Sequence, residues 1–241
     1  MFKKLPLVTV SVPDPIREHR SILMANEKRL LTWIARRIPG RVTSDHLTIL
    51  GILGMLLAGL SYWAARWDGR ALLLVVVALA LNWFGDSLDG TLARVRDCQR
   101  PRYGFYVDHI LDMVGTCFLL GGLAASSYMT PLIAVALLAA FLLVSAESFL
   151  ATHAVGIFRL SFMRIGPTEL RILLAFGTLW LMHQPIIRVG SLGPFLLFDV
   201  GGTCAIAGLA VTVMVSAIRN TRILYRAEPL AKKQRLNWNR T

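Results

Sequence analysis

The sequence is poor in cysteine. Only three of its 241 residues are cysteine, and Cys98, Cys117 and Cys204 lie far apart. Three scattered thiols are too few for a disulfide framework or a zinc site. The start of the chain, residues 1–20, also lacks the long apolar stretch of a secretion signal, and no cleavable signal is evident there. We therefore expect all three cysteines to be packing or surface residues.

Charged residues are scarce within six long segments, and 55% of all residues are hydrophobic. A membrane-crossing helix needs about 20 residues to span roughly 30 Å of hydrocarbon. We therefore predict an all-α, polytopic membrane bundle of six transmembrane helices. Its core is expected to cover residues 46–218, between an N-terminal segment of residues 1–45 and a basic tail of residues 219–241. The apolar segments are His46–Ala65, Ala71–Gly85, Phe105–Tyr128, Pro131–Ala146, Ile172–His183 and Phe195–Ile218.

Acidic residues are outnumbered, 14 against 26 Lys and Arg, which gives a net charge of +12. All but three of the basic residues, namely Arg66, Arg70 and Arg188, fall on one side of the predicted six-span arrangement. Cytoplasmic loops of membrane proteins carry the excess of Lys and Arg. We therefore expect both termini in the cytoplasm, in a bacterium at the inner membrane, with anionic lipid headgroups rather than nucleic acid as partners.

The segment of residues 15–38 combines apolar and basic positions at near-helical spacing. Leu30, Trp33 and Ile34 recur on one side, while residues such as Lys28 and Arg36 fill other positions. This pattern predicts an N-terminal amphipathic helix lying at the cytoplasmic interface. A solvated helix packed on the body of the protein is the alternative.

Four aspartates lie where a membrane span should exclude charge. The second apolar segment is too short to span, so its helix must continue through Asp86 and Asp89. The third span begins near Gly104, which places Asp108 and Asp112 about 6 and 12 Å deep at 1.5 Å per residue. Each pair has helical spacing and shares one helix face. The sequence therefore predicts two carboxylate pairs at similar depth on two helices.

Carboxylates so close together repel one another unless protons or cations intervene. Magnesium binds carboxylate oxygens and leaves coordination positions open for substrate phosphates, which makes a divalent-metal site the favoured interpretation. In the alternative, the four arginines of the following connection pair with the aspartates. The small residues around the acids can leave room for a ligand or serve ordinary helix packing.

The pattern of these residues resembles the motif of the CDP-alcohol phosphatidyltransferase family. Eight defining positions are filled within 27 residues, and the spacer of nine residues before Gly104 lies within the family's usual range. The match reads Asp86-x2-Asp89-Gly90-x2-Ala93-Arg94-x9-Gly104-x3-Asp108-x3-Asp112.

The resemblance implies an enzyme of phospholipid synthesis that moves a phospho-alcohol group, here a phosphatidyl group, from a CDP-linked lipid or headgroup donor to an alcohol acceptor with release of CMP. It implies two Mg²⁺ or Mn²⁺ ions and a homodimer. By similarity, Asp86, Asp89 and Asp108 are the chief metal ligands, and Asp112 is the general base that also touches a metal. The residues that line the CDP site are Gly90, Ala93, Arg94 and Gly104.

The acceptor side is expected near the start of the fifth span, where charged residues cluster on the same membrane side as the aspartates. The basic residues there can bind an anionic group of the substrate, or the segment is a basic cytoplasmic loop with a helix start at Thr168. The candidates are Arg159, Arg164, Glu169 and Arg171.

Two other functions remain open on the residues alone. One is a non-enzymatic cation or proton transporter with the aspartates as a relay, which would need a polar path across the bilayer. The other is a metal-dependent membrane prenyltransferase, which also uses aspartate-rich helices. Glu147, near the end of the fourth span, either reaches a cytoplasmic cavity or marks the end of its helix.

Overall fold

The computed structural model describes residues 16–17, 24–155, 157–158 and 166–228. Two strands, Ile16–Arg17 (β1) and Ile157–Phe158 (β2), pair in parallel, and Ile186–Arg188 (β3) pairs antiparallel with Pro194–Leu196 (β4) around a short 3-10 turn, Gly190–Leu192. The rest of this part of the chain is mainly helical. The helices are α1 (Met24–Ala35), α2 (Ser44–Ala64), α3 (Ala71–Val95), α4 (Pro101–Ala124), α5 (Pro131–Val155), α6 (Pro167–Leu181) and α7 (Leu197–Ala227).

The predicted membrane bundle is confirmed, with one short member. Five helices, α2, α3, α4, α5 and α7, are long and apolar enough to cross a membrane. The fifth predicted span corresponds to α6, which has 15 residues and extends only about 22 Å. A helix is disfavoured at the residue before a proline, and Pro185 follows the end of α6 closely. Helix α6 is therefore shorter than the roughly 30 Å of hydrocarbon in a typical bilayer.

The described part of the predicted amphipathic segment is α1. Its Leu31 and Ala35 are buried against Leu88 and Leu92 of α3. On other sides, α1 and the turn that follows it expose apolar and basic side chains together; these are Lys28, Arg29, Leu30 and Trp33 in the helix and Arg36 and Arg37 in the turn. Helix α1 thus packs on the body through one face and keeps the mixed outer surface expected at a membrane interface. Arg37 stacks on Trp33, with its guanidinium carbon 3.8 Å from the ring centroid.

Helix α2 lies between α3 and α4 and packs closely on both. At Gly85 of α3, an added Cβ would lie 2.5 Å from the backbone nitrogen of Gly51 and from the carbonyl oxygen of Leu47. At Gly122 of α4, it would lie 2.0 Å from the carbonyl oxygen of Gly59. Small residues permit this close approach of helix backbones in membranes. Helices α3 and α4 make few contacts with each other, so α2 holds them side by side with a gap between them.

Helices α5 and α7 form a second close pair. Glu147 of α5 accepts hydrogen bonds from Ser216 (2.8 Å) and Asn220 (2.9 Å) of α7. The interpretation of Glu147 as the end of its helix is wrong, since α5 continues for two turns beyond it to Val155. Polar side chains that bridge membrane helices stabilise their association.

A buried polar pair fixes the far half of α6 against α2. The Tyr62 and Thr178 hydroxyls are hydrogen-bonded at zero exposure, and Thr178 also donates to the Leu174 carbonyl at 2.7 Å. Tyr62 is therefore the donor within the pair.

We expect Thr178→Val to destabilise the protein more than Tyr62→Phe. The first change leaves the Tyr62 hydroxyl buried without a partner, which costs about 1–3 kcal/mol, whereas the second removes one hydrogen bond worth about 1 kcal/mol. Thermal unfolding of the two variants in the same detergent measures the order. Equal losses of stability would contradict the donor assignment.

Candidate active site

The four motif aspartates face the gap between α3 and α4. Asp86 and Asp89 lie one turn apart on α3, and Asp108 and Asp112 lie one turn apart on α4. The Asp112 carboxylate is close enough to interact electrostatically with the other three and with Arg171 of α6. The two helices thus bring four carboxylates and one guanidinium to the same region. We call this end of the bundle, where α2, α4 and α6 begin and α3 ends, the motif end.

Each pair contains an acid with defined partners. Asp86 accepts a hydrogen bond from Arg171 at 2.6 Å, and both side chains are largely buried. Asp89 accepts one from the Thr48 hydroxyl at 2.7 Å and another from the Gly90 backbone nitrogen. The Asp108 carboxylate lies 3.8 Å from the imidazole of His109. Ion pairing and hydrogen bonding therefore stabilise part of the negative charge.

Helix α2 holds Asp89 at two points. Thr48 bonds its carboxylate, and the Ser44 hydroxyl donates to its backbone carbonyl at 2.9 Å. Both α2 residues lie one turn apart at the motif end. These contacts place the first turns of α2 beside the acids.

The arginines between α3 and α4 hold the connection before α2. Arg96 donates to the carbonyls of Ile38, Pro39 and Val42, and Arg100 pairs with Asp45. The sequence analysis left open the alternative that these arginines pair with the motif aspartates. That alternative is wrong for both Arg96 and Arg100, because Arg96 contacts the α1–α2 connection and Arg100 contacts Asp45 in the first turn of α2. The guanidinium bonded to Asp86 comes from α6.

The donor set suits a hard divalent cation in type and charge. Mg²⁺ and Mn²⁺ prefer carboxylate oxygens, and four carboxylates share this region with Arg171. Within the described ranges, no three acidic, His or Cys side chains converge as ligands in their present positions. Arg171 on Asp86 and Thr48 on Asp89 occupy oxygens that such ligation would need.

Comparison with known proteins agrees with this geometry. The family model described as CDP-alcohol phosphatidyltransferase matches residues 41–218. The chain belongs to the CDP-alcohol phosphatidyltransferase family. The predicted enzyme class, transfer of a phosphatidyl group from a CDP-alcohol in phospholipid synthesis, is thereby confirmed, and a transporter or prenyltransferase is not supported.

A solved structure has the same fold. The crystal structure of Mycobacterium tuberculosis phosphatidylinositol phosphate synthase with CDP-DAG bound is similar with a TM-score of 0.54 and 19% sequence identity. The alignment covers 82% of this chain and 94% of that one. At 19% sequence identity, this similarity shows that the two chains share a fold. A comparison with curated protein sequences gives no significant match.

The small residues in and directly before the CDP-alcohol phosphatidyltransferase motif have two different environments. A Cβ added at Gly104 would meet no heavy atom of the described chain within 4 Å, and one at Gly90 would meet only Arg94 at 3.6 Å. Gly85, in contrast, touches the backbone of α2. Gly90 and Gly104 therefore border open space near the acids, whereas Gly85 serves helix packing. Ala93 lies one turn after Gly90 on α3, and Arg94 donates to Thr91 at 3.0 Å.

The structure describes two of the four predicted acceptor residues, Glu169 and Arg171. Arg159 and Arg164 lie outside the described residues. Glu169 accepts a hydrogen bond from the Gly166 backbone nitrogen at 3.0 Å and so caps α6. The helix begins at Pro167, not at Thr168. Of the two described members of this group, Arg171 is the one that bonds a motif aspartate.

Proposed function

We propose that the chain transfers a phosphatidyl group from a CDP-linked lipid to an alcohol in the gap between α3 and α4. One observation carries this proposal. Four aspartates lie on those two helices, Asp112 is within electrostatic range of the other three, and Arg171 lies beside them. The Mycobacterium tuberculosis synthase was crystallised with CDP-DAG, which supports a CDP-linked lipid donor. Membership in the family supports a requirement for divalent metal.

Asp86, Asp89 and Asp108 would hold the cations, which are Mg²⁺ or Mn²⁺ and number two. When bound, such ions neutralise charge on the pyrophosphate of the donor and make CMP a better leaving group. The open space at Gly90 and Gly104 leaves room for the nucleotide, and we assign Ala93 and Arg94 to the same CDP site. The chain thus supplies oxygen ligands on one side and space for the donor on the other.

We assign the proton transfer to Asp112. Its carboxylate accepts the proton of the acceptor hydroxyl while that oxygen attacks the β-phosphorus of the donor. A new phosphorus–oxygen bond forms to the acceptor, and the bond from the β-phosphorus to the CMP oxygen breaks. Positioning of the two substrates accounts for much of the acceleration in such transfers.

Arg171 is the acceptor-side residue that the geometry supports best. Its guanidinium neutralises Asp86 in the present arrangement. Once cations occupy the carboxylates, the same guanidinium is available to an anionic group of a substrate, since Arg binds phosphate and carboxylate in a bidentate manner. Arg159, Arg164 and Glu169 belong to the same acceptor region in this proposal.

The lipid part of the donor has an apolar surface next to Arg171. A groove of about 460 Å³ lies between α3 and α6, with Leu79, Ala80, Ile172 and Ala175 among its lining residues. Arg171 and Glu27 lie along the same groove. We propose that an acyl chain of the donor occupies this groove.

We further propose that both termini are cytoplasmic, that the enzyme lies in a bacterial inner membrane, and that it forms a homodimer.

Incubation of purified protein with CDP-linked donors and a panel of alcohols tests this function. We expect CMP release that depends on one donor and one acceptor class. Excess EDTA should lower the rate at least about 100-fold, because charge neutralisation by a metal contributes several kcal/mol to such a transition state, and added Mg²⁺ or Mn²⁺ should restore it. Release of CMP at an unchanged rate in EDTA would refute the metal assignment.

A further inference from the structure

Glu27 is an acidic residue on the otherwise basic helix α1. One of its carboxylate oxygens accepts hydrogen bonds from the Trp83 indole nitrogen at 2.7 Å and from the Thr168 hydroxyl at 2.7 Å. The Ser87 hydroxyl lies at 3.5 Å from the same oxygen. Trp83 and Ser87 belong to α3, and Thr168 belongs to the first turn of α6. A single half-buried carboxylate therefore connects three helices at the motif end.

Two side chains in the first two turns of α6 bond to neighbouring helices. Thr168 donates to Glu27 of α1, and Arg171 donates to Asp86 of α3. Glu169 bonds back to Gly166. Helix α6 makes few contacts with α7 and rests mainly on α3. The position of Arg171 thus depends on α3, on Glu27 and on Asp86 itself.

The Arg171–Asp86 contact cannot hold α6 throughout the reaction. If Arg171 turns to a substrate anion, the bond to Asp86 is lost at that moment. The Thr168–Glu27 bond lies one turn away and does not involve the acids. Hydrogen bonds to a carboxylate are stronger than those between neutral groups, so this contact persists while Arg171 exchanges partners.

We propose that Glu27 is a positioning residue that holds the start of α6 so that Arg171 remains aimed at the gap between α3 and α4. This inference rests on the proposed function, because it assigns Glu27 an effect on substrate binding through Arg171. Trp83 and Ser87 orient the carboxylate from α3, and Thr168 transmits its position to α6. Glu27 itself contacts neither the aspartates nor the transferred group in this assignment.

The test begins with Arg171→Gln in the full-length enzyme. Steady-state CMP release at varied donor and acceptor concentrations identifies the substrate whose KM depends on Arg171. Glu27→Ala should raise that same KM about tenfold, the low end expected for lost hydrogen bonds to a charged group. The KM of the other substrate and kcat should stay within about threefold, because a general loss of folded enzyme lowers the apparent kcat without changing either KM.

Two milder variants keep the test independent of folding. Glu27→Gln retains an oxygen that accepts from Trp83 and Thr168, and it should remain within about threefold of the parent, since neutral hydrogen bonds are about half as strong as charge-assisted ones. Thr168→Val removes only the donor on α6, and should raise the Arg171-dependent KM with little change in thermal stability. Thr32→Val, on the exposed side of α1, is the control for α1.

The outcomes separate this inference from the proposed function. If no donor and acceptor pair yields CMP, the proposed function fails. If CMP is released but Thr168→Val and Glu27→Ala leave the Arg171-dependent KM unchanged, or raise both KM values equally, the proposed function stands and the positioning role of Glu27 is refuted.

Discussion

Replacement of Asp112 by Asn should lower kcat by about 10³-fold while donor binding changes little, since a positioned general base contributes about 10²–10⁴-fold. The amide keeps the size of the side chain and one oxygen, but it cannot accept the proton of the acceptor hydroxyl. Asp112 lies on α4 within electrostatic range of the other three motif aspartates. Single-turnover CMP release and equilibrium binding of labelled donor measure the two effects separately.

Asp97→Asn is the matched control for this change. Asp97 follows α3 in the connection to α4 and has a backbone φ of +51°, a conformation that Asn adopts readily. The control loses the same charge near the motif end but leaves the four motif aspartates intact, so it should retain nearly full turnover. A rate for Asp112→Asn close to that of Asp97→Asn would remove Asp112 from the role of base.

Gly122→Ala should largely abolish the folded enzyme, whereas Gly121→Ala should have little effect. The new Cβ at Gly122 would lie 2.0 Å from the carbonyl oxygen of Gly59, and its closest neighbours are all backbone atoms of α2. Side-chain rotation cannot relieve this contact, so α2 and α4 must separate. We expect a loss above about 3 kcal/mol, the upper part of the usual overpacking range.

The neighbouring glycine provides the control at the same depth and in the same helix. A Cβ at Gly121 would meet no described heavy atom within 4 Å. Thermal unfolding and size-exclusion profiles of both variants in one detergent measure the difference. Similar stability of the two variants would mean that α2 and α4 do not approach each other as closely as described.

The sequence was most informative where spacing alone determines geometry. Two aspartates at positions i and i+3, and two at i and i+4, must each share a helix face. The depth argument then brought both pairs to one level, and their mutual electrostatic range agrees with it. The length and apolar content of five spans were also predictable. These features depend on local regularities that a sequence displays directly.

Contacts between distant residues were not predictable in the same way. Arg171 pairs with Asp86 across 85 positions, and Glu27 contacts Thr168 across 141. Nothing local in the sequence distinguishes Arg171 from other loop arginines. The nearer Arg96 instead binds the connection before α2, and Arg100 binds Asp45 in the first turn of α2. A lone acid facing the apolar side of a basic helix was the available signal for Glu27.

The limited length of α6 has a consequence for the surrounding bilayer. A hydrophobic element shorter than the hydrocarbon layer is accommodated by local thinning of the lipid, at a modest cost per ångström of mismatch. Helix α6 has 15 residues, and it borders the groove that runs along Arg171. The bilayer beside this groove would therefore be thinner than beside the longer helices, so a lipid in the groove would have a smaller apolar depth around it.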